Sequence, residues 1–176
     1  ETVPEAVARL SAAMGPGPRI CVLGGTAFQD PSSEELAALL AQALSVRIGD
    51  RASLVTGGMA GVQKAFARSC GDGVRLFHLL PIGQQSGFDR GRDLHAGQDL
   101  EQRKQVFGQL GDIYVSVEGG PGVASEASAA DARGATVVPL VRTGGASGGM
   151  FGFPERAMQP PAGASAEQWA MVTSRD

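Results

Sequence analysis

DIYVSVEGGPGVASEASAA, residues 112–130, sets an apolar run, a glycine break and a helix start side by side. Ile113, Tyr114, Val115 and Val117 read as a buried strand. Gly119, Gly120, Pro121 and Gly122 end it, and a small-residue helical pattern follows, with Glu126 about one turn in. In a parallel α/β sheet this order builds an anion site. Glycine lets the backbone approach a ligand closely, and the unpaired N–H groups of the first helical turn point at it. Glu126 would repel a phosphate, so its carboxylate suits a sugar hydroxyl or a proton-transfer step better.

The same order recurs on either side of this stretch. Residues 19–23 form an apolar run ending in Gly24, Gly25 and Thr26, and residues 52–55 form another, ending in Thr56, Gly57, Gly58 and, after Met59 and Ala60, Gly61. Residues 74–80 and 135–141 supply two further strands. Helical spacing appears at 4–14, 62–69, 100–110, 124–132 and 166–172, and in a longer helix through Leu36, Leu39, Leu40 and Leu44. For that longer helix, Ser32 with Glu35 has the form of a capping box. Residues 83–98 show no period and are expected to be a long loop. The glycine-rich segment after Arg142 reads as a loop or flap.

Alternating strands and helices predict a single domain over 1–176 with an α/β, doubly wound, Rossmann-like parallel sheet of order 3-2-1-4-5 and helices on both faces. Ligands in such sheets bind at the carboxyl ends of the strands, where the order reverses. That places a crevice between strands one and four. Gly24, Gly25 and Thr26 would flank it together with Gly119, Gly120, Gly122 and Val123. Thr56, Gly57, Gly58 and Gly61 would sit beside them.

Composition narrows the function classes. The chain carries 26 glycines among 176 residues, roughly twice the ~7% of average usage, and they cluster behind apolar runs as turns. A net charge of −3 argues against a general nucleic-acid binder. Cys21 and Cys70 are too few for a disulfide framework, and Cys21 lies in an apolar strand, as a buried thiol would. No apolar run reaches the ~18 residues of a membrane span. The chain opens at Glu1 without Met, so a trimmed N-terminus is expected, together with a reducing, cytoplasmic compartment. We expect no metal site and no resident cofactor.

The Gly-x-Gly-x-x-Gly fingerprint is not cleanly present after strand one, strand two ends in Thr56 rather than an acidic residue, and there is no P-loop. Arg103, before strand four, and Glu126, after it, are the candidate catalytic pair. An Arg can clamp phosphate with two parallel hydrogen bonds, or simply sit on a solvated helix face. A Glu can stabilise the positive charge that grows on a ribose as its bond to a base breaks, or complement the helix dipole. Phe151 and Phe153, in the late glycine-rich loop, could stack on a base or pack the loop.

The run Gln102-Arg103-Lys104, then Asp112, then Gly119-Gly120-Pro121-Gly122-Val123-Ala124-Ser125-Glu126 resembles the Lonely Guy family, long labelled "possible lysine decarboxylases". The likeness extends over roughly residues 19–141. It implies a phosphoribohydrolase that releases a base from a nucleoside 5′-monophosphate, with Arg103 and Glu126 catalytic. Gly119, Gly120, Gly122 and Val123 would cradle the phosphate, and Gly24, Gly25, Thr26, Thr56, Gly57, Gly58 and Gly61 would form the companion turns. It also implies a homodimer. Two positions depart from the family signature: Glu118 stands where the family has Pro, and Val123 where it has Thr. The sequence is also similar to the molybdenum-cofactor carrier proteins of the same superfamily, through Leu54 to Gly58 and a Gly-Pro-Gly. That likeness implies the alternative, a carrier that binds a phosphorylated cofactor without turning it over.

Overall fold

The computed structural model describes residues 1–174. Six parallel strands form one sheet: β1 (Arg19–Gly24), β2 (Ser53–Thr56), β3 (Arg75–Leu80), β4 (Arg92–His95), β5 (Ile113–Val117) and β6 (Thr136–Pro139), in the order β4-β3-β2-β1-β5-β6. The expected 3-2-1-4-5 order is therefore present, with β4 added at the β3 edge. Residues 83–98 are not a structureless loop, because Phe77 to Leu80 of β3 pair with Arg92 to His95. Only Leu94 of β4 is fully buried, as suits an edge strand, so no apolar run announces it.

Strand side chains alternate between two cores. Cys21, Leu23, Val55, Phe77, Leu79 and Tyr114 face α1 (Val3–Met14), α4 (Leu100–Leu110) and α5 (Pro121–Ala132). Ile20, Val22, Leu54, Leu76, Val115 and Val117 face α2 (Pro31–Ile48) and α3 (Val62–Ser69). Strands covered on both faces are apolar nearly throughout, which is why they stand out in the sequence. A final short helix, α6 (Ala166–Thr173), follows a capping box at Ser165 and Gln168.

Two local expectations change. The α2 cap is Asp30, whose carboxylate accepts from the Ser32 N–H at 2.8 Å, in place of the expected Ser32–Glu35 box. Its fully buried positions are Ser33, Ala37 and Ala41, while Leu39 is half exposed. Small residues let α2 lie close against α3, and the leucines border that contact. The segment after β6 is three short 3-10 turns, and it is tied to the third glycine turn. Ala146 N–H donates to Gly119 O at 2.8 Å, and Ser147 N–H to Glu118 O at 3.0 Å. The Ser147 hydroxyl bonds to the Ser116 hydroxyl and to Glu118 O, each at 2.8 Å.

Candidate functional site

β1 and β5 are neighbours, and Gly24 at the end of β1 is in register with Val117 at the end of β5. The two following turns therefore leave the sheet side by side at the reversal of strand order, where open α/β sheets form their crevice. The opening has two compartments, of about 230 Å³ and about 500 Å³. Gly25, Thr26 and Gly120 line both and form the saddle between them.

The smaller compartment holds Arg103 and Glu126. They sit on α4 and α5, the helices either side of β5, and their side chains are 3% and 8% exposed. Arg103 Nη1 donates to Glu126 Oε1 at 3.1 Å. Arg103 Nε is buried without a hydrogen-bond partner, and its guanidinium carbon lies 5.5 Å from the Phe107 ring centroid. Burial outweighs the attraction between the two charges: it pushes the Glu126 carboxyl up to about 7 against Arg103 and Lys104, and holds Arg103 below its usual range. A carboxyl poised near neutrality can exchange a proton during a reaction.

Gly57 makes room for this pair. A Cβ there would come within 2.8 Å of Arg103 Nη1, so the guanidinium rests directly on the second glycine turn. Gly61 does the corresponding work between turns. Its φ is +76°, and a Cβ would fall 2.3 Å from Gly25 O. Val62 N–H, the first in α3, donates to that same carbonyl at 3.1 Å. The second turn thereby buttresses the first.

Gly24, Gly25, Thr26, Gly120, Gly122 and Val123 line the smaller compartment with Arg103 and Glu126, and Gly119 lines the larger. Thr56, Gly57, Gly58 and Gly61 line neither. The Thr56 hydroxyl is buried, 2.7 Å from His78 Nδ1, and accepts from Gly58 N–H at 3.1 Å. The second turn is represented in the compartment by Met59 and Gln63 instead. Gln63 is buried, accepting from Met59 N–H and donating to Val22 O, each at 3.1 Å.

α5 begins at Pro121, and its N-cap, Gly120, supplies no side-chain cap. Pro121 has no N–H and Ala124 N–H donates to Gly120 O, so the first-turn donors that the helix cannot satisfy internally are the N–H groups of Gly122 and Val123, which are left to whatever occupies the compartment. Lys104 lines it too, its Nζ 3.5 Å from where a Gly122 Cβ would stand. Val123 is 7% exposed and joins the core, with Gly119 folded back over its side chain.

Sequence reasoning did not place Glu118, Gln29 or Thr143 in the cleft. Glu118 is 2% exposed, and its carboxylate accepts from the Gln29 and Asp30 N–H groups, each at 2.9 Å. It straps the loop after β1 to the end of β5. Its N–H donates to the Thr143 hydroxyl at 2.8 Å, and its φ is +51°. The Gly that follows marks the turn in the sequence; nothing marks the strap.

Neither a family model nor a curated protein matches the sequence. Solved structures do. The structural-genomics target TM1055 is 23% identical over 74% of this chain and 78% of its own, with a TM-score of 0.63. The molybdenum cofactor carrier protein of Chlamydomonas reinhardtii is 22% identical over 70% of this chain and 76% of its own, with a TM-score of 0.60. The chain shares their fold. DNA processing protein A of Helicobacter pylori, described for its single-stranded DNA binding, matches at 15% identity over 73% of this chain and 67% of its own, with a TM-score of 0.58. No helix among the described residues is long and apolar enough to cross a membrane.

Proposed function

We propose that the chain hydrolyses the N-glycosidic bond of a nucleoside 5′-monophosphate, as Lonely Guy phosphoribohydrolases do. The observation that carries this reading is the buried Arg103–Glu126 pair at 3.1 Å, facing an uncapped helix N-terminus across a small compartment. The phosphate sits on the first-turn N–H groups of α5, with Gly119, Gly120, Gly122 and Val123 as its cradle and Lys104 beside it. The Gly24-Gly25-Thr26 turn closes the other side, and the turn from Thr56 through Gly57 and Gly58 to Gly61 supports it from behind.

Arg103 orients the phosphate or ribose and keeps Glu126 in place. As the bond to the base lengthens, positive charge grows on the ribose. The ionised Glu126 stabilises that charge, or takes the proton of the attacking water, in a compartment where burial strengthens every such interaction. A carboxyl with a pKa of about 7 suits the proton-transfer role near neutral pH. The reading carries with it a homodimer and a cytoplasmic setting, and neither metal nor resident cofactor enters the chemistry.

Val123 and the fold neighbours favour a second reading. Val123 brings no hydroxyl to the phosphate turn, and the carrier proteins share the fold. A carrier would hold a nucleotide or a phosphorylated cofactor as cargo in the same cleft. Incubation with AMP and chromatographic detection of adenine separates the two. Hydrolysis predicts release that Glu126→Gln lowers by about a hundred-fold or more. Binding of AMP with no release by the unsubstituted protein would overturn the hydrolase and leave the carrier.

A further inference from the structure

The larger compartment lies across the saddle from the Arg103–Glu126 pair, and one side of it is built by the loop after β6. Met150 and Phe151 project into it from that loop, 55% and 51% exposed, whereas Phe153 turns inward and is 4% exposed. The two phenylalanines therefore divide the roles open to them: Phe153 packs the core, and Phe151 does not.

Phe151 is held in an unfavourable way. Its φ is +61°, in the left-handed region that bulky side chains rarely adopt. Burial does not explain the conformation, since about half of the residue stays exposed. An exposed aromatic kept at a strained position on the rim of a cleft gains its value from what it meets there. Gln29, in the loop after β1, lines the same compartment. Its backbone N–H is committed to Glu118, but its side-chain amide has no hydrogen-bond partner among the described residues. A carboxamide presents a donor and an acceptor side by side, which matches the edge of a nitrogen heterocycle.

We propose that Phe151 and Gln29 form the base-recognition site of this chain: Phe151 stacks on the face of the heterocycle and Gln29 reads its edge. This rests on the proposed site for the ribose and phosphate, because the saddle of Gly25, Thr26 and Gly120 is where a ribose would join the two compartments. The heterocycle is then gripped by the late glycine-rich loop, while the sugar and phosphate are gripped by the glycine turns.

The test contrasts AMP with ribose 5-phosphate, which lacks a base. Both are titrated calorimetrically into the full chain and into Phe151→Gly, Phe151→Tyr and Gln29→Ala, with adenine release followed in parallel. Phe151→Gly removes the ring and relaxes the backbone. It is expected to weaken AMP about ten-fold or more, to leave ribose 5-phosphate affinity unchanged, and to keep Tm the same or raise it. Phe151→Tyr is expected to retain AMP affinity, and Gln29→Ala to weaken AMP alone.

Equal loss of both ligands in Phe151→Gly, or AMP affinity unchanged by it, overturns the assignment. So does a lower Tm with unchanged AMP affinity, which would make the ring a structural part of the loop. Failure of the wild type to release adenine while the AMP contrast persists removes the hydrolase reading and leaves this one standing. Failure of ribose 5-phosphate and AMP to bind at all removes both.

Discussion

Replacing Glu126 by Gln tests whether burial or the neighbouring cation governs the site. The Glu126 side chain is 8% exposed and has a guanidinium 3.1 Å away. Arg103 favours its ionised form; burial opposes that form more strongly, and the pKa stands at about 7 against an ordinary 4.5. A gap of about 2.5 pH units, at about 1.4 kcal/mol each, is about 3.5 kcal/mol, of which about 3 kcal/mol falls between pH 4.5 and 8. The sign follows from proton counting. Between pH 4.5 and 7 the folded chain holds this proton and the unfolded chain has released it, so stability falls as pH rises and levels off above 7. Glu126→Gln cannot titrate, and subtracting its stability from the wild type's cancels groups that behave alike in both. Urea unfolding at half-unit steps from pH 4.5 to 8 should show this difference falling by about 3 kcal/mol. The opposite outcome is a difference that rises with pH over that range. It would mean that Arg103 outweighs burial and that the carboxyl is a fixed anion, unsuited to moving a proton.

Other perturbations follow from single contacts. Gly57→Ala keeps an ordinary backbone conformation but puts a methyl 2.8 Å from Arg103 Nη1. It should cost about 1–3 kcal/mol in urea unfolding and remove most adenine release, whereas Gly120→Ala, with nothing within 4 Å of its Cβ, should cost less than 1 kcal/mol. Glu118→Ala leaves the Gln29 and Asp30 N–H groups without their acceptor and should destabilise by about 2–4 kcal/mol, read from the urea midpoint. Tyr114→Phe removes a buried hydroxyl that accepts from Gly111 N–H at 2.8 Å and donates to Phe107 O. A loss of about 1–3 kcal/mol in thermal or urea unfolding is expected.

What the sequence reveals and conceals here has a geometric cause. Arg103 and Glu126 are 23 residues apart, yet their meeting is deducible. α4 runs back toward the start of β5, so the beginning of α4 lies at the carboxyl edge of the sheet. α5 leaves that same edge. A residue early in α4 and a residue early in α5 must therefore flank the end of β5, whatever their separation along the chain. Glycine turns after apolar runs are equally plain, because two-sided burial makes the strands apolar and the crevice requires close backbone approach.

Motif spacing fixes backbone position, but it does not fix where a side chain points. Thr56 belongs to a glycine turn by sequence, yet its hydroxyl turns back into the sheet to meet His78 on the adjacent strand. β4 carries no apolar run because an edge strand needs only one buried residue, Leu94, and takes its hydrogen bonds from β3. Glu118, Gln29 and Thr143 are brought together by a carboxylate and a hydroxyl bonding to backbone N–H groups of other segments. Such contacts have no period and no spacing. They also carry the features that distinguish this chain from the resembling family: a Glu in place of Pro at 118, and a loop after β6 stitched to that same residue through Ser147. A buried Glu118 thus makes physical sense as the post that joins the first turn to the loop bearing Phe151. Substituting the family's Pro there would remove the N–H that Thr143 accepts and the carboxylate that holds Gln29, and the proline ring cannot keep the φ of +51° found at this position. It should loosen the larger compartment and shift the Gly119–Gly120 turn that leads into α5, read as weaker AMP binding by calorimetry.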